Sequence, residues 1–135
     1  MKTILRVCWW ILIGSRVDGQ VFSLQDFATL YHLQGEWTSA WEKGRQVEHW
    51  SIESADRLEG RINRIDADQA EIPGERLGLF FSDHRIWYVA QRQFEGPNDT
   101  FLLSGIDQGD YIFENRKDGV QQRVVYHPEA DSVLE

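Results

Sequence analysis

The sequence predicts an all-β fold: an antiparallel up-and-down meander that closes into a barrel, with one short helix near its N-terminus. Three observations predict it. Six Trp, four Tyr and seven Phe suit the half-buried, pleated surfaces of strands. From Gly35 onward, runs of about five to ten residues alternate with turn chemistry and no second helical period appears. A chain of 135 residues that is 41% hydrophobic and 27% charged has room for one domain around one core and is too apolar for disorder.

The elements follow in chain order. Residues 1–6 carry Lys2 and Arg6, and the apolar run Val7-Cys8-Trp9-Trp10-Ile11-Leu12-Ile13-Gly14 comes next. A polar stretch ends at Val17-Asp18-Gly19, with small or aliphatic residues placed for a cut before Gln20. That order of positive, apolar and small-residue regions is the pattern of a secretory signal peptide. The run is too short for a membrane span, which takes about 20 apolar residues. Residues 1–19 are therefore expected to be a leader and residues 20–135 the single mature domain, released outside the cytoplasm; any membrane contact would come through the leader alone. The competing readings of 1–19 are a buried N-terminal strand and an uncleaved interfacial anchor.

From Phe22 to Leu33 the apolar residues fall three and four apart, as on one face of a helix. Ser23 is placed to cap it and Gly35 to end it. Strands are expected near 36–42, 45–53, 57–65, 75–82, 85–93, 100–106, 110–115 and 120–127, with a last one from 132. The breaks include Ile72-Pro73-Gly74, Asp83-His84, Gly96-Pro97-Asn98-Asp99, Gln108-Gly109, Asp118-Gly119 and His127-Pro128-Glu129. Pro presets one turn dihedral and Gly admits positive φ, so Pro73-Gly74 and Asp118-Gly119 are the strongest of these signals. Loops this short join neighbouring antiparallel strands, and a long meander removes its edges by closing. Several strands mix polar and apolar residues on both faces, which suits a barrel with a partly polar lumen better than a solid sandwich.

Charge and composition exclude several functions. The net charge is −8, and leaving out residues 1–19 (Lys2, Arg6, Arg16 and Asp18) takes it to −10. A domain this acidic has no general attraction for phosphate backbones or anionic membranes, so nucleic acid is not an expected partner. The one cysteine, Cys8, lies in the expected leader, leaving no disulfide or thiolate site in the mature domain. His32, His49, His84 and His127 are scattered one to an element, with no pair at metal-ligand spacing. There is no G-x-S-x-G elbow and no Gly-rich phosphate loop, so neither a cofactor nor a metal is expected.

The segments Gly35-Glu36-Trp37, Glu48-His49-Trp50, Ile86-Trp87-Tyr88-Val89-Ala90-Gln91, Phe113-Glu114-Asn115 and Gln122-Arg123-Val124-Val125-Tyr126 together resemble an uncharacterised, usually exported bacterial family of unknown function. Its hallmark reads F-E-N-P-x-H-D-F-P-Q-R-I-x-Y. This chain keeps the two ends and has Arg116, Asp118, Gly119 and Gln121 where the family has Pro, His, Asp and a second Pro. Gly35-Glu36-Trp37 also resembles the Gly-x-Trp element of lipocalin-like, calycin-type barrels. The resemblance implies such a barrel, with Trp37 plugging one end under Arg123, and no established activity. It also implies one or two further closing strands beyond Glu135; the gap would otherwise be covered by a partner or by the N-terminal segment.

Candidate site residues follow from both readings. Glu48 and Trp50 share one strand face, and Glu75 matches a second Glu position of the family. The expected ligand-binding set is Glu48, Trp50, Arg61, Glu75, Trp87, Gln91, Asn115 and Arg123. Trp50 and Trp87 form apolar walls, and the others supply polar contacts in the lumen. The leading expectation is noncatalytic binding of a small apolar or amphipathic ligand. The alternatives are a hydrolase- or isomerase-like enzyme with Glu48 or Glu75 as general base, and an envelope protein that only packs against a partner.

Overall fold

The computed structural model describes residues 2–12, 20–92 and 98–129. These residues form nine strands: β1 (Lys2–Leu12), β2 (Gly35–Trp41), β3 (Gly44–Ser54), β4 (Arg57–Asp66), β5 (Glu71–Ser82), β6 (Arg85–Arg92), β7 (Asn98–Asp107), β8 (Asp110–Lys117) and β9 (Val120–Glu129). Helix α1 (Leu24–Ala28) and a 3₁₀ segment (Thr29–Leu33) lie between β1 and β2. From β2 to β9 each strand pairs antiparallel with the next. The sheet is the expected all-β meander, curled into a closed barrel.

Closure runs through the N-terminal segment. β1 makes ten consecutive antiparallel pairs with β9, from Thr3↔Glu129 to Leu12↔Val120. It touches β2 only through the parallel pairs Lys2↔Trp37 and Thr3↔Thr38. The strand expected from residue 132 and positions 96 and 97 of the turn expected at 96–99 lie outside the described residues, while Asn98 and Asp99 begin β7.

Turn chemistry explains the hairpins. Asp83-His84, Gln108-Gly109 and Asp118-Gly119 are two-residue turns with both φ values positive, between 52° and 87°. That is the backbone of a type I′ turn, whose twist matches that of the strands it joins. Two expected breaks are displaced. Ile72-Pro73-Gly74 lies inside β5, because the chain reverses earlier, at residues 67–70. There the Asp66 carboxylate accepts from the backbone N–H of Asp68 and Ala70, both at 2.9 Å. Pro73 then stands opposite Asn63 at a register shift, where a missing N–H disturbs the ladder least. His127-Pro128-Glu129 likewise belongs to β9, held by its pairing with β1.

The single expected helix over 22–33 is an α-helical turn followed by a 3₁₀ turn. Ser23 and Asp26 form a reciprocal capping box, with hydrogen bonds of 2.8 and 3.1 Å. The segment closes one end of the barrel by burying Phe27, Leu30 and Leu33. Its anchors are Phe22 N–H to the His84 carbonyl at 2.7 Å, the Tyr31 hydroxyl to the Ala55 carbonyl, and the Tyr111 hydroxyl to Thr29 Oγ1 at 3.0 Å.

Alternation is sharp on β4: Leu58, Gly60 and Ile62 are buried, and Arg57, Glu59 and Arg61 are exposed. The inward residues of β4 to β9 form one contiguous core with α1 and the 3₁₀ segment. Tyr88 sits at its centre, with ring centroids 5.4 to 5.7 Å from Phe101, Phe113 and Tyr126. The interior is therefore packed with aromatic and branched side chains, as in other small barrels that a few large residues suffice to fill. The buried side chains also include the carboxylates Glu48 and Glu75.

Candidate functional site

Two polar constellations exist, one inside the barrel and one outside. The inner one centres on Glu48, which is 1% exposed. Its Oε1 accepts from the Trp50 indole N–H at 2.8 Å and from the Tyr126 hydroxyl at 2.7 Å. The Trp50 ring lies flat over Gly60: a Cβ at that position would come within 2.8 Å of the indole. Gly60 therefore makes the space that Trp50 occupies. This cluster ties β3 to β9 across the core, with Trp50 and Tyr126 rings packed edge-on at 6.4 Å. Its chemistry is that of a buried, hydrogen-bonded structural carboxylate.

The other expected site residues are dispersed. Glu75 is an inward residue near the barrel end away from the helix, 3.9 Å from the Arg64 guanidinium, which lies 5.7 Å from the Trp41 ring. Asn115 donates to the Thr100 carbonyl at 3.0 Å. Trp87 is not a lumen wall: it stacks on Phe80 at 6.0 Å and 10° on the outer face. Arg123 is also outside, opposite Glu114 in register and 3.3 Å from its carboxylate, which also accepts from Gln121 and Ser104. It cannot lie over Trp37. That indole is buried at 2% exposure, and its N–H donates to the Leu33 carbonyl at 2.5 Å. Both corrections have one cause. Side chains alternate strictly along a strand, so residues of one parity share a face whatever their chemistry.

The same alternation assembles the outer site. Cross-strand register places His49, Arg61, Arg76, Gln91 and Asn98 in one row across β3 to β7. The next row on that face is Ser51, Glu59, Gly78, Val89 and Thr100; beyond it Arg57, Phe80 and Trp87 form a third. Long side chains thus flank a middle row that has no side chain at Gly78, where a Cβ would meet nothing within 4 Å. The result is a groove of about 1090 Å³ along the outside of the sheet. Arg61 and Arg76, both exposed, stand directly opposite one another. Arg57 pairs with Glu59 at 3.2 Å and lies 6.0 Å from the Phe80 ring.

Of the expected residues, Arg61 and Gln91 line this groove, and the backbone strip at Trp50 borders it. Sequence reading missed Arg57, Arg76 and Gly78. The available signal was Gly78 between two long residues of its own parity, Arg76 and Phe80. Reading it needed the β4–β5 register, which the misplaced turn at Pro73-Gly74 obscured. Among the described residues, no group of three or more His, Cys, Asp or Glu comes together as a metal site. Comparisons with family models, curated proteins and solved structures find no match for this chain.

Proposed function

We propose that this chain is an exported, noncatalytic binding protein for a small amphipathic ligand, and that the ligand lies in the outer groove. The observation that carries the reading is the groove itself. A strip floored by Gly78 and Val89 runs between a polar, arginine-bearing wall and an aromatic one. A concave site with apolar surface and a few convergent polar groups is the ordinary make-up of a small-ligand site. Inside the barrel, the most buried carboxylate of the described residues, Glu48, already accepts two hydrogen bonds on Oε1 in a packed core. Kinship with the exported family of unknown function belongs to the same proposal.

The test uses the geometry at Gly78. A Cβ there has open space on the groove side, so a leucine enters the groove and not the core. Titrating the full chain with a fluorescent fatty-acid analogue is expected to show saturable binding. Gly78→Leu is expected to weaken it by about tenfold or more, the scale of losing one well-packed apolar contact, with an unchanged melting curve. Equal binding by wild type and Gly78→Leu, or no saturable binding by either, would contradict the proposal.

A further inference from the structure

We infer that the ligand of this groove is a facial amphiphile: an elongated small molecule with hydroxyl or amide groups along one long side and hydrocarbon along the other. The inference rests on the groove reading above. Three observations converge on it. First, polarity in the groove is sorted by row. On β5, β6 and β7 the rows read Arg76, Gln91 and Asn98, then Gly78, Val89 and Thr100, then Phe80, Trp87 and Leu102. The first row is polar throughout and the third apolar throughout, with the floor between them. On β4, Arg61 continues the polar row, and Arg57 closes the opposite wall, 3.2 Å from Glu59 and 6.0 Å from the Phe80 ring.

Second, the rows cross the strands, so polarity changes over the short axis of the groove and stays constant along the long one. Residues two apart on a strand are separated by about 6.7 Å, so the two walls stand roughly 13 Å apart, whereas the polar row runs roughly 19 Å from β3 to β7. A head-to-tail amphiphile does not match that layout. Laid along the groove, its tail would strip water from the polar row and give it no hydrogen bond in return. Laid across, it would use the floor of one strand and leave most of both walls uncovered.

Third, each wall is chemically uniform. The carboxamides of Gln91 and Asn98 both donate and accept, and the arginines donate, which suits hydroxyl groups because these do both as well. The apolar wall keeps its side-chain donor turned away. The Trp87 indole N–H donates to the Ser82 carbonyl at 3.3 Å, and its ring stacks on Phe80 at 6.0 Å and 10°. A molecule standing on edge over Gly78 would press hydrocarbon against Phe80, Trp87 and Leu102 and turn its hydroxyls toward Gln91 and Asn98. The groove then selects on sidedness rather than on net charge.

The probes are two bile-salt epimers, chenodeoxycholate and ursodeoxycholate, with dodecanoate as the head-to-tail comparison. Each is titrated calorimetrically into the full chain below its micelle concentration. All three are carboxylates, and the epimers differ only in whether one ring hydroxyl lies on the same face as the other. Chenodeoxycholate, with both hydroxyls on one face, is expected to bind at least about fivefold tighter than its epimer, the scale of one hydrogen bond made or lost, and tighter than dodecanoate. The double variant Arg61→Leu, Asn98→Leu is expected to remove the preference between the epimers. Both positions are exposed, so the fold should survive, and an unchanged melting curve checks it.

Equal affinity for the two epimers, or no saturable binding of either, would overturn the inference. So would tighter binding of dodecanoate than of chenodeoxycholate, or an epimer preference that survives in the double variant. If Gly78→Leu still weakens dodecanoate binding in those cases, the groove reading stands and only the sidedness of the ligand fails. If Gly78→Leu leaves binding intact, the groove reading itself has failed.

Discussion

At the scale of single residues, position on a face decides role more than residue type does. Glu48 and Glu75, two strand carboxylates of the same chemistry, have different surroundings. One is fixed by Trp50 and Tyr126 inside the core, and the other lies near a barrel end beside Arg64. Trp50 and Trp87 divide in the same way, one packed over Gly60 and the other stacked outside on Phe80. Trp37 and Arg123 give a direct check. Trp37 is buried and hydrogen-bonded to the helical segment, so Trp37→Ala should cost roughly 3–5 kcal/mol, the range for truncating a buried Trp. Arg123 is a partly exposed ion-pair partner on the far side of the sheet wall. Arg123→Ala should therefore cost no more than about 1 kcal/mol. Urea unfolding measures both. A Trp37 loss below about 1 kcal/mol would mean that Trp37 is at the surface, and equal large losses at the two positions would place Arg123 over Trp37 after all.

At the scale of elements, strand existence was legible in the sequence and strand register was not. The hairpins at Asp83-His84, Gln108-Gly109 and Asp118-Gly119 were readable because their residues tolerate positive φ. Pro73-Gly74 misled because it carries the same signature within a strand, at a register shift, while the actual reversal uses the Asp66 carboxylate. That one displacement hid the Arg61–Arg76 pairing, and with it the groove. β1 raises a different question. Residues 2–12 fall within the expected leader, across its positive region and most of its apolar run, yet in the whole chain they fill the seam between β9 and β2. Cutting before Gln20 would remove β1 and expose the edge of β9, a template for pairing with other chains. Expression of the full chain in a Gram-negative host should give a mature N-terminus near Gln20 by mass spectrometry, and this trimmed protein should self-associate. Intact Met1 on cytoplasmic, monomeric protein would contradict export and favour β1 as a permanent strand.

At the scale of the whole molecule, the barrel is a scaffold whose interior supplies stability and whose outer face is proposed to supply function. Both follow from aromatic abundance combined with two-residue periodicity. Tyr88, Phe101, Phe113 and Tyr126 take the inside, and the leftover parity carries arginines and a glycine across β4 and β5. The fold class could be read from composition and turn spacing. The site could not, because it is made of residues far apart in sequence that only register brings together. Mapping backbone amide shifts of the full chain while titrating dodecanoate tests this division most directly. The account predicts saturable shifts concentrated at Arg61, Arg76, Gly78 and Gln91, with Leu103, Phe113 and Tyr126 unmoved. Shifts concentrated at Tyr88, Phe113 and Tyr126 instead would place the ligand inside the barrel and contradict it.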